Sequence, residues 1–182
     1  MLVERIENRW LAAFTRTFTL CKVQPGEVVA ILAETQSRRV NVDLARLALE
    51  AMGARVFEVT LTTPALTAPA PVRSTGASDA IGQLGPVVVA LARANMVVDC
   101  TVEGLLHAPE LPTIMKGVDG HMPRLLMVSN EHPEILERTV PDPALEGVVR
   151  AAMKKLRGAQ QMHVTSAAGT DLRVNLKHGD KQ

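Results

Sequence analysis

Leu2, Ile6, Trp10, Ala13, Phe14 and Thr17 recur at the three- and four-residue spacing of one helix face, so residues 2–20 predict an amphipathic opening helix that stops near Pro25-Gly26. Val28 to Ala33 then reads VVAILA, apolar at every position. Such a run suits a strand buried on both faces, which requires a parallel or mixed sheet with helices above and below. Residues 39–52 return to helical spacing through Val40, Leu44, Leu47, Ala48 and Ala51, and Gly53 stands where a left-handed stop is expected. Arg55 to Leu61 is a second strand. It leads into a long loop rich in Pro, Ala, Ser and Thr, with Pro64, Pro69 and Pro71.

The alternation continues with a helix near 86–94, a strand at 96–100 (MVVDC), a short helix near 110–117 and a strand at 124–129 (RLLMVS). A helix begins within 131–138 with Pro133 in its first turn, and the last helix covers 142–158. About four apolar strands alternating with helices predict an α/β fold with a doubly wound, mostly parallel, Rossmann- or flavodoxin-like sheet. Ligands in such sheets lie outside the strand carboxyl ends, so function is expected near residues 34–38, 101–107 and 129–132.

After residue 158 the rhythm changes. Gln161 to Ser166 and Asp171 to Leu176 alternate polar with apolar around Ala168-Gly169, the pattern of a β-hairpin. A lone hairpin is marginal in water. It either adds to the main sheet, packs on a neighbouring subunit or begins a second domain absent from this chain, and the third placement is favoured. The expected organisation is an α/β domain over 1–158, followed by hairpin and tail over 159–182.

Composition narrows the function. In 182 residues, 20 Lys and Arg balance 19 Asp and Glu, so no field gathers nucleic acid or an anionic membrane. Aromatics amount to 2 %, too few to stack bases along a single strand. No run approaches the roughly 18 apolar residues of a membrane span, and the charged start Glu4, Arg5, Glu7, Arg9 is not a signal peptide, which makes the cytoplasm the expected compartment. Cys21 and Cys100 form no metal-binding or disulfide pattern and are expected to be reduced and buried. Met115, Met122, Met127, Met153 and Met162 are expected as core or interface filler.

Motifs for common chemistry are absent. The turn after the first strand, Ala33 to Arg38, has no glycine to admit a pyrophosphate, and Glu34 would repel one. No Gly-x-Ser-x-Gly nucleophile turn exists. The five histidines, His107, His121, His132, His163 and His178, form no paired ligand motif, so a metal site within the chain is not expected. A set such as His107, His121 and Glu131 would need the fold to assemble it. Arg38 and Arg39 are read as surface charges. His107 is the exception: it follows the third strand in Gly104-Leu105-Leu106-His107-Ala108-Pro109-Glu110, just outside a carboxyl edge. Imidazole exchanges protons near neutral pH, and Leu106 offers an apolar wall for a flat ring. A loop histidine that caps a carbonyl or meets solvent is the alternative, and position alone favours it.

Four stretches together resemble the 2,5-dihydroxypyridine 5,6-dioxygenases of nicotinic acid breakdown, which share their fold with aminopeptidase T-type metallopeptidases. They are Ser37-Arg38-Arg39-Val40-Asn41, Met96-Val97-Val98-Asp99 leading to Leu105-Leu106-His107-Ala108-Pro109-Glu110, Glu131-His132-Pro133-Glu134-Ile135-Leu136, and His163-Val164-Thr165-Ser166-Ala167-Ala168-Gly169-Thr170-Asp171. The resemblance covers the N-terminal portion of that family. It implies an aromatic N-heterocycle as substrate, Fe(II) as cofactor, O₂ as co-substrate and N-formylmaleamate as product. It also implies that His107 is the acid/base for the substrate hydroxyl and that Leu106 lines the substrate pocket. The family's iron ligands, two histidines and an aspartate, lie beyond the hairpin and have no counterpart here, so the chain alone is expected to bind no Fe(II) and to be inactive.

Two other functions stay open on the sequence. One is the N-terminal domain of an aminopeptidase T-like metallopeptidase. The other is a non-catalytic domain for small-molecule binding or oligomerisation. A homo-oligomer is expected in either case, since an apolar face left without its second half promotes association.

Overall fold

The computed structural model describes residues 5–65 and 78–176. Strand β1 (Val28–Glu34) is central: β2 (Arg55–Leu61) pairs with it on one side, and on the other β3 (Met96–Asp99) pairs with it and carries β4 (Arg124–Met127). All pairings are parallel, in the order β2-β1-β3-β4. The register sets Ile31 between Glu58 and Val98, and Leu32 between Val59 and Asp99.

The uninterrupted apolar run of β1 is explained by its two covered faces. Val29, Ile31 and Ala33 join Met96, Val98 and Cys100 in a core built on Trp10, Phe14 and Phe18 of α1 (Asn8–Leu20) and on α2 (Arg39–Ala51), with Leu136 of α5 (Pro133–Thr139) packed against it. Ala30 and Leu32 point the opposite way with Val97. They meet Val88 and Leu91 of α3 (Gly85–Ala92) and Ile114 of α4 (Leu111–Lys116). Each fully buried Val, Leu or Ile contributes about 1.5–3 kcal/mol, so the central strands hold the three layers together. Edge strand β2 is only partly covered, and its Glu58 takes hydrogen bonds from Arg39 and Arg46 of α2.

Gly53 ends α2 as expected, at φ +81°, where the amide of Ala54 returns to the carbonyl of Leu49 at 3.0 Å. The opening helix begins at Asn8 rather than residue 2. Glu7 is extended, Ile6 stands outside the helix, and Leu2 lies outside the described residues. Strand four is shorter than its apolar run. The amides of Val128 and Ser129 both turn onto the carbonyl of Asp99, at 2.8 and 2.9 Å, and Ser129 adopts φ +52°. Pro69 and Pro71 of the long loop lie outside the described residues.

Cys100 is buried and Cys21 only half-buried; both are free thiols. Burial raises the pKa of each, which suppresses the nucleophilic thiolate. The methionines depart from the core expectation. Met122, Met153 and Met162 are exposed, Met115 is half-buried, and Met127 alone of the five packs against a core, the one under α3 and α4.

The chain divides into two compact units, Met1–Val140 and Pro141–Gln182. The second contains α6 (Leu145–Gly158) and an antiparallel hairpin of β5 (Gln161–Thr165) and β6 (Asp171–Asn175). Gly169 supplies φ +98° in the hairpin turn.

Candidate functional site

β2 and β3 lie on opposite sides of β1, so the strand order reverses between the carboxyl ends of β1 and β3. The two apolar runs end there in buried carboxylates, Glu34 and Asp99. Each gathers a loop. Glu34 accepts hydrogen bonds from the Ser78 hydroxyl at 2.7 Å and the Val102 amide at 3.2 Å. One oxygen of Asp99 accepts from the hydroxyl of Thr101 at 2.6 Å and its amide at 3.0 Å; the other accepts from the Leu105 amide at 2.8 Å.

Ser37 locks the first turn to the third strand. Its Oγ accepts from the Glu34 amide and donates to the Cys100 carbonyl, both at 2.7 Å. On the far side, Asn130 Oδ1 accepts from the Arg38 amide at 2.5 Å, and the buried Asn41 side chain donates to the Glu131 carbonyl at 2.7 Å. The three segments expected to hold function, 34–38, 101–107 and 129–132, are thus cross-linked into one edge.

Leu106 and His107 form the projecting part of this edge. Leu105 and Ala108 are anchored in the core on either side, with the Ala108 amide bonded to the Leu105 carbonyl at 3.0 Å. Between these anchors Leu106 is 57 % exposed and His107 is exposed beside it. An exposed leucine and an exposed imidazole thus stand side by side on a turn that is anchored at both ends.

Asp99 sustains that turn at a cost. Burial raises its pKa, the hydrogen bonds from Thr101 and Leu105 oppose this, and nearby Glu34 adds to the rise. Sequence reasoning missed Asp99, Glu34, Ser37 and Asn41 as builders of the site. The available signal was an acidic residue at the end of each continuously apolar run.

Three of the other histidines, His121, His132 and His163, are engaged elsewhere. His121 Nε2 lies 3.2 Å from the Ala94 carbonyl; His132 Nδ1 caps α5 by accepting from the Glu134 amide, and its ring meets Trp10 edge-on at 5.1 Å. His163 pairs with Asp171 across the hairpin at 2.5 Å, and His178 lies outside the described residues. Among the described residues no group of three or more His, Cys, Asp or Glu side chains converges as a metal site, so His107, His121 and Glu131 form none, and these residues do not fit an iron centre. Arg39 is bound in ion pairs to Asp43 and Glu58, both at 2.8 Å. Among the described residues no helix is long and apolar enough to cross a membrane.

A parallel α/β sheet whose strand order reverses at β1 and β3 places the chain in the doubly wound class. The family model for 2,5-dihydroxypyridine 5,6-dioxygenase matches residues 9–181, and the chain belongs to that family. It is 30 % identical over 171 residues to a 2,5-dihydroxypyridine 5,6-dioxygenase of Pseudomonas putida, covering 90 % of this chain and 45 % of that protein. The solved structure of the 2,5-dihydroxypyridine dioxygenase from Pseudomonas putida KT2440 superposes with a TM-score of 0.79 at 29 % identity, over 95 % of this chain and 49 % of the other. The chain spans about half the length of these relatives.

Proposed function

We propose that this chain is the substrate-facing portion of an enzyme that opens the ring of 2,5-dihydroxypyridine with O₂. Leu106 lies against the heterocycle, and His107 takes and returns the proton of a ring hydroxyl. The observation that carries this reading is the exposed Leu106-His107 turn held at the carboxyl edge by the Asp99 to Leu105 hydrogen bond. Membership of the dioxygenase family supports the choice of ring.

Iron has no place among the described residues, so oxygen activation requires groups from outside them. On this reading the chain by itself is inactive in ring cleavage. Residues 1–158 act as the α/β domain, and the hairpin from residue 159 opens a second domain. The setting is a cytoplasmic homo-oligomer.

Calorimetric titration of the chain with 2,5-dihydroxypyridine, with and without His107→Ala, tests the assignment. Binding that weakens about tenfold in the variant, the loss of one hydrogen bond to a charged group, supports it. Identical binding in both proteins, or none in either, ends a ring-binding role for His107. Ring opening at an enzymatic rate by the chain with added Fe(II) would overturn the inactivity.

A further inference from the structure

Along α6, Leu145, Val148, Val149, Ala152, Met153 and Leu156 recur at helical spacing and make one apolar face. Its own compact unit leaves this face uncovered: α6 buries no residue, and Val148 is 64 % exposed and Val149 58 %. Charge is distributed unevenly along the same helix. Asp142 and Glu146 stand at its start, Arg150 follows one turn after Glu146, and Lys154, Lys155 and Arg157 occupy the second half.

We infer that this face pairs with α6 of a second copy of the chain, antiparallel, across a two-fold axis near Ala152. Antiparallel pairing brings the acidic start of each helix beside the basic end of the other and opposes the two helix dipoles. Parallel pairing would set like charges together. Glu146 and Arg157 lie on the same flank of the apolar face and equally far from the point between Ala151 and Ala152. Each Glu146, already bonded to Arg150 of its own helix at 2.6 Å, therefore meets the partner's Arg157, and the contact occurs twice. The small side chains of Ala151 and Ala152 let the helices approach closely at the crossing, and Val148 and Val149 pack toward the partner's Leu156. The hairpin also exposes apolar residues, Met162, Val164 and Leu172, but lacks this end-to-end charge complement.

A helix of 14 residues is about 21 Å long, so the contact is smaller than a standard interface of about 1,600 Å² and the dimer is expected to be weak and reversible. Sedimentation of the full chain from about 1 µM to several hundred µM should show a reversible monomer–dimer equilibrium. Val149→Glu with Met153→Glu should abolish it. Glu146→Arg or Arg157→Glu alone should raise the dissociation constant about fivefold, and the two together should restore it. If the glutamate variant loses helix by circular dichroism, disulfide trapping decides instead. In a Cys21→Ser background, Ala152→Cys should give a linked dimer on oxidation, and Lys154→Cys, on the opposite face, should not.

The inference is overturned by a monomer at every concentration, as when another segment of the same polypeptide covers α6. It is equally overturned by a dimer indifferent to the α6 variants or lost instead in Met162→Glu with Val164→Glu. A charge-swapped pair that fails to recover, or equal trapping at residues 152 and 154, has the same consequence.

Discussion

The carboxylate of Asp99 accepts the backbone amide of Leu105 at 2.8 Å and so ties the turn bearing Leu106 and His107 to the end of β3. Asp99→Ala leaves the amides of Thr101 and Leu105 buried without this acceptor, which should cost about 2–4 kcal/mol in urea denaturation. Amide exchange at Leu105 should accelerate more than exchange in β1. Unchanged protection at Leu105 would show that the turn is held by other means.

Acid should destabilise the protein through Glu27 and Glu58. Burial alone would raise both carboxyls, but hydrogen bonds outweigh it: Arg124 and the Gln24 amide act on Glu27, and Arg46, Arg39 and Thr60 act on Glu58. Both therefore titrate below the ordinary value of 4.5 in the folded state. Their contribution is full above that pH and is lost as pH falls through the folded values. Asp99 has the opposite sign. Its folded pKa lies above 3.8, so its contribution is present on the acid side and lost as pH rises through the folded value. Urea midpoints between pH 7 and pH 3 should fall less steeply in Glu27→Gln with Glu58→Gln, and more steeply in Asp99→Asn.

Two glycines should respond oppositely to alanine. At Gly117, φ is +68° and an added Cβ would stand 1.7 Å from the His121 carbonyl oxygen, so Gly117→Ala should destabilise by about 3 kcal/mol or more. Gly147 lies within α6 with nothing inside 4 Å of an added Cβ. Gly147→Ala should strengthen that helix by about 0.5–1 kcal/mol, read as a raised helix signal on heating.

His107→Ala and Leu106→Ala remove exposed side chains and should leave stability within about 0.5 kcal/mol, so any loss of ring binding is not caused by unfolding. Fe(II) should leave the melting temperature of the chain unchanged, because a ligand stabilises only the fold that binds it. A rise with iron concentration would reveal ligands beyond those described.

The strands and most helices were legible from residue order alone, because a strand covered on both faces must be apolar at every position and an amphipathic helix must repeat every 3.6 residues. The place of Leu106 and His107 just beyond an apolar strand was legible as well, whereas position alone favoured a bland loop histidine. Met122 is not in the core, one of the two places open to it, because residue type alone does not report which loop a side chain lands on.

What sequence determined by itself was the order and kind of elements and the position of the projecting histidine. Tertiary structure alone decided which loops share an edge: Ser37 reaches Cys100 across 63 residues, and Glu34 reaches Val102 across 68. Local patterning reports whether a residue faces water or core. The partner that satisfies a buried carboxylate is chosen only when the sheet brings distant strand ends together.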